Sequence, residues 1–233
     1  MQQENTVLPN HVGFIIDGNR RWARQHGLPQ YEGHLAGYNA IKEVLYEAFD
    51  QGIRYASVYA FSTENWKRAE EEVGYLMKLT LRMVQSDLHE FIERGIRFRH
   101  LGSKTDLPEK VAKALSEAEE KTKDLTNGTV CACFNYGGQR EIVEAARKCI
   151  EDGLSPDEVT EEAIAARLYA PEVPPVDLMV RTSGEQRISN FMLWRIAYSE
   201  LLFLDKFWPA MTKEDVTAII EEYSRRNRRF GGN

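Results

Sequence analysis

At 233 residues, with 42% hydrophobic and 28% charged residues, the chain has the make-up of a globular protein with a sizeable core, not of a disordered one. A net charge of −6 excludes a general nucleic-acid binder, so any phosphate site must be a local cluster of arginines on an acidic protein. Three cysteines without a C-x-x-C pair suit neither a disulfide framework nor a zinc site, and Cys131 and Cys133, two apart in a strand-like run, share one face as small hydrophobes.

The first predicted element organises the rest. In HVGFIIDGNRRWARQHG, residues 12–16 form a short β-branched apolar run, expected as a strand buried on both faces. It stops at Asp17-Gly18-Asn19, where glycine eases a turn and asparagine suits a helix cap; residues 20–26 then carry helical signals up to Gly27. A carboxylate thus falls at the carboxyl end of a buried strand, beside a helix start and the adjacent Arg20 and Arg21. That place suits an anionic ligand with a metal, or is an ordinary strand-turn-helix with solvated arginines.

A helix over 33–51 and a buried strand over 53–61 come next, with STENWKR at the strand's carboxyl end. Residues 73–94 make a long helix whose apolar stripe, including Val73, Leu76, Met77 and Val84, reads as core packing or as one wall of a channel for an apolar chain. A strand at 96–101, a helix at 108–125 and a strand at 129–135 ending in Tyr136-Gly137-Gly138 follow. Helices at 139–151 and 155–169, a proline-marked loop and a strand at 176–180 ending at Arg181 come after them. A short sixth strand at 201–204 and a helix at 212–229 complete the pattern. The alternation predicts an α/β fold: a single domain over residues 11–233, with a mostly parallel, roughly six-stranded sheet flanked by helices, after a flexible segment at 1–10. No apolar run nears the roughly 20 residues of a membrane span and the start is not a signal peptide, so a cytoplasmic protein with at most transient, peripheral membrane contact is expected.

Ligands of parallel sheets bind beyond the carboxyl ends of the strands. Four such ends here deliver DGNRR, STENWKR, NYGGQR and RTSGEQR. Arg181 and Arg187 bracket a Ser-Gly turn with Ser189 just beyond, and guanidinium forks plus a hydroxyl suit a diphosphate. Asp17 and Glu200 offer hard oxygen ligands for Mg²⁺, although Glu200 taken alone reads sooner as a capping or pairing carboxylate. His34 is either a phosphate donor or a satisfied surface histidine. Neither G-x-x-x-x-G-K-[ST] nor G-x-G-x-x-G occurs, against a P-loop NTPase or a dinucleotide enzyme, and the DDxxD-type motif of trans-type prenyl synthases is missing too. The residues lead to a Mg²⁺-dependent enzyme acting on diphosphates, and they do not name its reaction.

The runs HVGFIIDGNRRWA, GH at 33–34, YAFSTENWKR, NYGGQREI, VDLMVRTSGEQRISNFMLW, AYSEL and RRFGG resemble, in this order, the cis-prenyltransferase family, whose best-known member is undecaprenyl diphosphate synthase. The resemblance implies a homodimer with a hydrophobic tunnel opening at the rim. It implies condensation of isopentenyl diphosphate with an allylic diphosphate such as farnesyl diphosphate, forming cis double bonds. By position, Asp17 matches the essential aspartate that works with Mg²⁺, and Gly18, Asn19, Arg21 and His34 match the allylic diphosphate cradle. Ser62, Asn65, Trp66 and Arg68 match the loop between the substrates, with Asn65 beside Asp17 as the catalytic pair; Arg20, Trp22 and Glu64 join the substrate-binding set. Glu72 matches a glutamate at the start of a closing segment. Arg181, Arg187 and Ser189 match the isopentenyl diphosphate site, Glu200 a second Mg²⁺ ligand, and Arg229 and Gly231 the C-terminal R-x-G that reaches substrate phosphate across the dimer.

Three positions depart from the family pattern. Gln30 stands where an arginine for the allylic diphosphate is usual, with Arg20 or Arg24 as the candidates to compensate. Arg195 replaces a common glutamine. Ala60 is smaller than its counterpart in short-chain members, which points to a medium- or long-chain product. Two alternatives differ in kind: an atypical prenyltransferase with another starter or acceptor, favoured by Gln30, and a non-catalytic partner subunit, disfavoured by Asp17, Glu200 and the R-x-G together.

Overall fold

The computed structural model describes residues 7–226, and at its centre lies His11–Ile15 (β1), buried at every position. Burial on both faces demands cover on both sides of a sheet. Beside β1 lie Tyr55–Ser62 (β2) and Leu178–Arg181 (β5); Gly128–Tyr136 (β4) and Ile96–Leu101 (β3) extend the sheet beyond β2, and Glu200–Phe203 (β6) closes it beyond β5. The order is β3-β4-β2-β1-β5-β6 and every pairing is parallel. The helices are Asn19–Gln25 (α1), Gln30–Asp50 (α2), Glu70–Arg94 (α3), Glu109–Thr122 (α4), Gly138–Glu151 (α5), Glu161–Ala165 (α6) and Lys213–Arg225 (α7).

The pleat sorts the core. Val12 and Phe14 share a cluster with Val44 and Leu45 of α2 and with Ile219 and Ile220 of α7. Ile15 turns to the other face, with Met179, Phe191, Met192 and both strand cysteines, Cys131 and Cys133. The chain leaves β1 towards β2 on one side and later returns to β5 on the other. The carboxyl ends of β1 and β5 therefore flank the point where strand order reverses, the place where open α/β sheets bind ligands.

One expectation needs correction. The helix expected over 155–169 is a 3-10 turn, Pro156–Glu158, followed by the short α6. Ser155 closes the first turn with Glu158 and Thr160 caps the next by accepting the N–H of Ala163, so two start signals five residues apart break what periodicity alone joins. Ahead of β1, the N–H of Val7 donates to Ser224 and that of Asn10 to Asp177.

Polar groups are buried in two places on the Ile15 face. His11 Nδ1 donates to the Pro174 carbonyl and its Nε2 accepts from Ser57, each at 2.8 Å, and burial lowers its pKa from 6.5 to about 4. Arg195 and Glu141, both buried, pair at 2.6 Å. The Arg195 guanidinium also reaches the Tyr169 carbonyl at 2.5 Å, and Glu141 takes the Tyr136 hydroxyl and the Tyr169 N–H. The departure at 195 is thus one half of a satisfied ion pair.

Removing one half leaves the other charge buried. Glu141→Ala should cost about 3–5 kcal/mol of unfolding free energy, and the apolar pair Glu141→Leu with Arg195→Met should recover most of it, read by urea denaturation. For His11, the folded state resists a proton that the unfolded state takes up near 6.5, so stability present above that pH is lost as pH falls towards 4. At about 1.4 kcal/mol per pKa unit this amounts to roughly 3 kcal/mol. Urea midpoints measured from pH 7 to 4 should fall, and less steeply in His11→Gln.

Candidate active site

Ile15 lies opposite Arg181 in the β1–β5 register, so the residues just past both strands meet at one rim. Asp17 Oδ1 accepts the N–H of Gly18 at 2.8 Å, and Oδ2 takes Arg181 Nη2 at 3.0 Å. Arg21 Nη2 stands 3.4 Å from Oδ1. Main-chain bonds clamp the same residue: its N–H donates to Thr182 Oγ1, and its carbonyl accepts from Thr182 Oγ1 and from the Trp208 N–H. Gly18 has φ 105°, and a Cβ there would lie 2.3 Å from Ser183 Oγ, so only glycine fits the turn that presents the aspartate. Arg181, itself buried, also donates to Ser189 Oγ at 2.7 Å and to the Arg187 carbonyl at 2.5 Å. The Arg187 side chain is exposed and pairs with Glu185.

On the neighbouring side α1 packs on α2 at Gly33 and Gly37, where a Cβ would lie 2.1 Å from the Asn19 carbonyl oxygen and 2.3 Å from Asn19 Oδ1. That approach sets His34 beside α3. His34 is buried, and its Nε2 donates to Glu72 Oε1 at 3.2 Å. Burial lowers the His34 pKa, with Glu72 opposing the shift. Glu72 is buried as well and takes Arg68 at 3.2 Å and, at 3.9 Å, Arg20. His34 is thus no surface histidine; it shares one carboxylate with two arginines. Trp22 stacks on His26 at 4.2 Å.

After β2, Ser62 and Asn65 close the 3-10 turn Thr63–Lys67 as a reciprocal cap, with Asn65 Oδ1 accepting the Ser62 N–H. Trp66 donates from Nε1 to Asn135 and so faces β4. Glu64 accepts from Asn190 Nδ2; burial would raise its pKa, but hydrogen bonds from its own backbone and from Asn190 outweigh this and hold it below the ordinary value.

Two cavities open at this rim. One, of about 500 Å³, runs from Asp17, Arg20, Arg21, Arg24 and His34 down to Ile41, Ala60, Leu76, Met83, Val84 and Phe98. The other, of about 530 Å³, is lined by Ser62, Glu64, Asn65, Arg68, Arg181, Ser189 and Asn190. Ile16, Asp17, Tyr59, Asn65 and Arg68 line both. Sequence reasoning passed over Tyr59 and Asn190. Asn190 could have been flagged only as a residue tolerant of left-handed backbone in RISNF, and Tyr59 carried no signal beyond its strand.

Within one chain Glu200 does not join Asp17. It is the first residue of β6, level with Leu178 and Val12, five residues or roughly 16 Å along the strands from Asp17. Its carboxylate takes Arg226 at 3.2 Å. Arg229 and Gly231 lie outside the described residues. Among the described residues no three His, Cys, Asp or Glu side chains converge as a metal cage. An accessible carboxylate, Asp17, beside space for phosphate oxygens nonetheless fits Mg²⁺, whose sites use one or two carboxylates plus substrate phosphate.

The family model described as "Putative undecaprenyl diphosphate synthase" matches residues 15–231. An isoprenyl transferase of Thermotoga maritima is 47% identical over 227 residues, 97% of each chain. A trans,polycis-polyprenyl diphosphate synthase ((2Z,6E)-farnesyl diphosphate specific) of Thermobifida fusca is 45% identical over 99% of this chain and 83% of its own. Among solved structures, lavandulyl diphosphate synthase from Lavandula x intermedia, in complex with dimethylallyl diphosphate, superposes with a TM-score of 0.93 at 36% identity, over 97% of this chain and 99% of its own. A match over nearly the whole length, on the same all-parallel sheet, makes this chain a member of the undecaprenyl diphosphate synthase family, the cis-prenyltransferases.

Proposed function

We propose that this protein is a self-sufficient chain-elongating enzyme that condenses isopentenyl diphosphate with an allylic diphosphate, farnesyl diphosphate being the starter, to give a medium- or long-chain Z-polyprenyl diphosphate. The observation that carries this is the asymmetry of the two cavities: both have cationic mouths and share Asp17, Asn65 and Arg68, but only one continues into apolar space. A hydrocarbon chain of growing length fits the first, and a five-carbon diphosphate the second.

In this reading Arg20, Arg21 and His34, with Gly18 and Asn19 at the turn, hold the allylic diphosphate, and its chain runs between α2 and α3 as in a tunnel. Arg181, Arg187 and Ser189 hold isopentenyl diphosphate. The arginines stabilise the charge that grows on the departing diphosphate as the allylic C–O bond breaks. The double bond of isopentenyl diphosphate attacks the allylic carbon and a proton is lost. Asn65, which has no basic atom, orients substrate between the cavities, since holding two diphosphates in register is mostly a problem of proximity. Asp17 would hold Mg²⁺ together with substrate phosphate oxygens, and the bound ion supplies positive charge to the same leaving group. Ala60 leaves the apolar cavity open at its middle, in favour of longer products.

A homodimer is supported by the open edge at β6, where Tyr198 and Leu201 are exposed. Glu200 and the C-terminal R-x-G would then act beside the partner's site. No helix of the described residues is long and apolar enough to cross a membrane, and we place the enzyme in the cytoplasm with at most transient contact as product is released.

Incubation with farnesyl diphosphate, labelled isopentenyl diphosphate and Mg²⁺ should yield a ladder of products, sized by mass spectrometry and abolished by EDTA. Asp17→Ala should lower turnover by a factor of roughly 10² or more. Failure to incorporate isopentenyl diphosphate with any allylic starter would sink the catalytic reading. Arginine introduced by Gln30→Arg, at the first residue of α2, should lower the KM of the allylic substrate about two- to fivefold, the worth of an exposed ion pair, and an unchanged KM in steady-state assays would show that Arg20 or Arg24 already fills that role.

A further inference from the structure

The cavity that holds Arg181 and Ser189 is walled by the ends of β1, β2 and β5, and one side chain ties the last two to each other and to the end of β4. Asn190 has φ 64°, left-handed backbone that asparagine adopts more readily than most residues. Its Nδ2 donates to Glu64 Oε1 at 3.0 Å, in the turn after β2. Its Oδ1 accepts the N–H of Gln139 and its carbonyl the N–H of Gly138, both at 2.8 Å, in the first turn of α5 after β4. Gly137, which precedes α5, has no side chain to cap the helix, so the cap comes from the loop after β5. There is no slack around it: a Cβ on Gly137 would lie 3.0 Å from Asn190 Nδ2, and one on Gly138 would lie 3.0 Å from the Asn190 carbonyl oxygen. The preceding Ser189 accepts from Arg181 at its Oγ and from the Tyr59 hydroxyl at its carbonyl, at 2.7 and 3.3 Å.

We propose that Asn190 is a positioning residue for the isopentenyl diphosphate half of the site: by joining the ends of β2, β4 and β5 it fixes Ser189, and through Ser189 the Arg181 guanidinium that faces Asp17. This rests on the assignment of that cavity to isopentenyl diphosphate. Both polar ends of the amide are engaged by protein, so Asn190 works through its neighbours. Loosening it moves the Ser189–Arg181 pair and leaves the His34–Glu72 side of the rim, built on α2 and α3, where it is.

The two ends of the amide make different bonds, which gives a specific test. Asn190→Asp keeps the cap on Gln139 but sets a carboxylate against Glu64; Asn190→Gly keeps the backbone conformation and loses both side-chain bonds. Each should raise the KM and the calorimetric Kd for isopentenyl diphosphate at least tenfold, with the KM for the allylic starter within twofold of wild type. Glu64→Gln alone keeps an oxygen acceptor for Asn190 and serves as the reference against which the double variant is read. Combined with Asn190→Asp it exchanges donor and acceptor across the same bond, and should restore isopentenyl diphosphate binding to within threefold. Wild-type protein that binds no isopentenyl diphosphate would overturn the assignment of the cavity. Wild-type protein that binds it, with Asn190→Asp binding equally well, both KM values rising together, or the exchanged pair failing to restore binding, would overturn the positioning role.

Discussion

The site depends on the Arg181 guanidinium lying against the Asp17 carboxylate across the ends of two neighbouring parallel strands. Parallel pairing delivers the last residues of β1 and β5 to the same rim, and the turn at Gly18 brings the carboxylate back over it. A buried guanidinium needs acceptors for its hydrogens, and the two Nη atoms of Arg181 find three: the Asp17 carboxylate, the Ser189 hydroxyl and the Arg187 carbonyl, while its Nε is left without one among the described residues. Those same acceptors fold residues 182–190 over the rim. The bond that orients the aspartate also builds the wall of the second cavity.

Five further nitrogen donors of the rim are held by carboxylates too. Glu72 gathers His34, Arg68 and Arg20, and Glu185 gathers Arg21 and Arg187. On a protein of net charge −6 this lets five donors crowd together without mutual repulsion dominating. A diphosphate arriving at the rim competes with carboxylates already in place, so its affinity is the difference between the bonds it makes and those it displaces. Such a site selects for several well-placed phosphate oxygens at once, because a single negative charge gains little over the glutamates.

Much of this was legible in the sequence because each strand is a short apolar run that ends in its own turn motif, and parallel alternation puts all those turns on one side. DGN, STENW, NYGG and RTSG did meet at one rim, and Asp17, Arg21, His34, Asn65, Arg68, Arg181 and Ser189 line or border the two cavities there. Glu200 stands apart from Asp17 within one chain because a motif gives order along the chain and not which end of a strand a residue occupies; it begins β6, whereas Asp17 follows the end of β1. The Arg195–Glu141 pair and the cap that Asn190 places on α5 join residues about fifty apart, beyond the reach of periodicity. The 155–169 stretch failed for the opposite, local reason, since a second cap at Thr160 outweighed a helical pattern that looked continuous.

The separation of polar from apolar chemistry follows from where along the strands each residue sits. At the carboxyl ends the backbone leaves the sheet, and its side chains belong to turns rich in Arg, Asn and Ser. Ile16, directly after β1, Ala60, at the irregularity of β2, and Ala132, farther back in β4, line the apolar cavity instead. Two of these three are alanines on the neighbouring strands β2 and β4, so the sheet leaves room there that Leu76, Met83 and Val84 of α3 line without filling. Tyr59, next to Ala60, carries its hydroxyl to the Ser189 carbonyl on the other side. A register shift between β2 and β4 begins at Tyr59, and a strand that departs from regular pairing there can aim adjacent residues into two different cavities. The boundary between a diphosphate-sized space and a chain-sized space is therefore set by the pleat and one local irregularity of β2, and the two cavities stay in contact only through residues that belong to both.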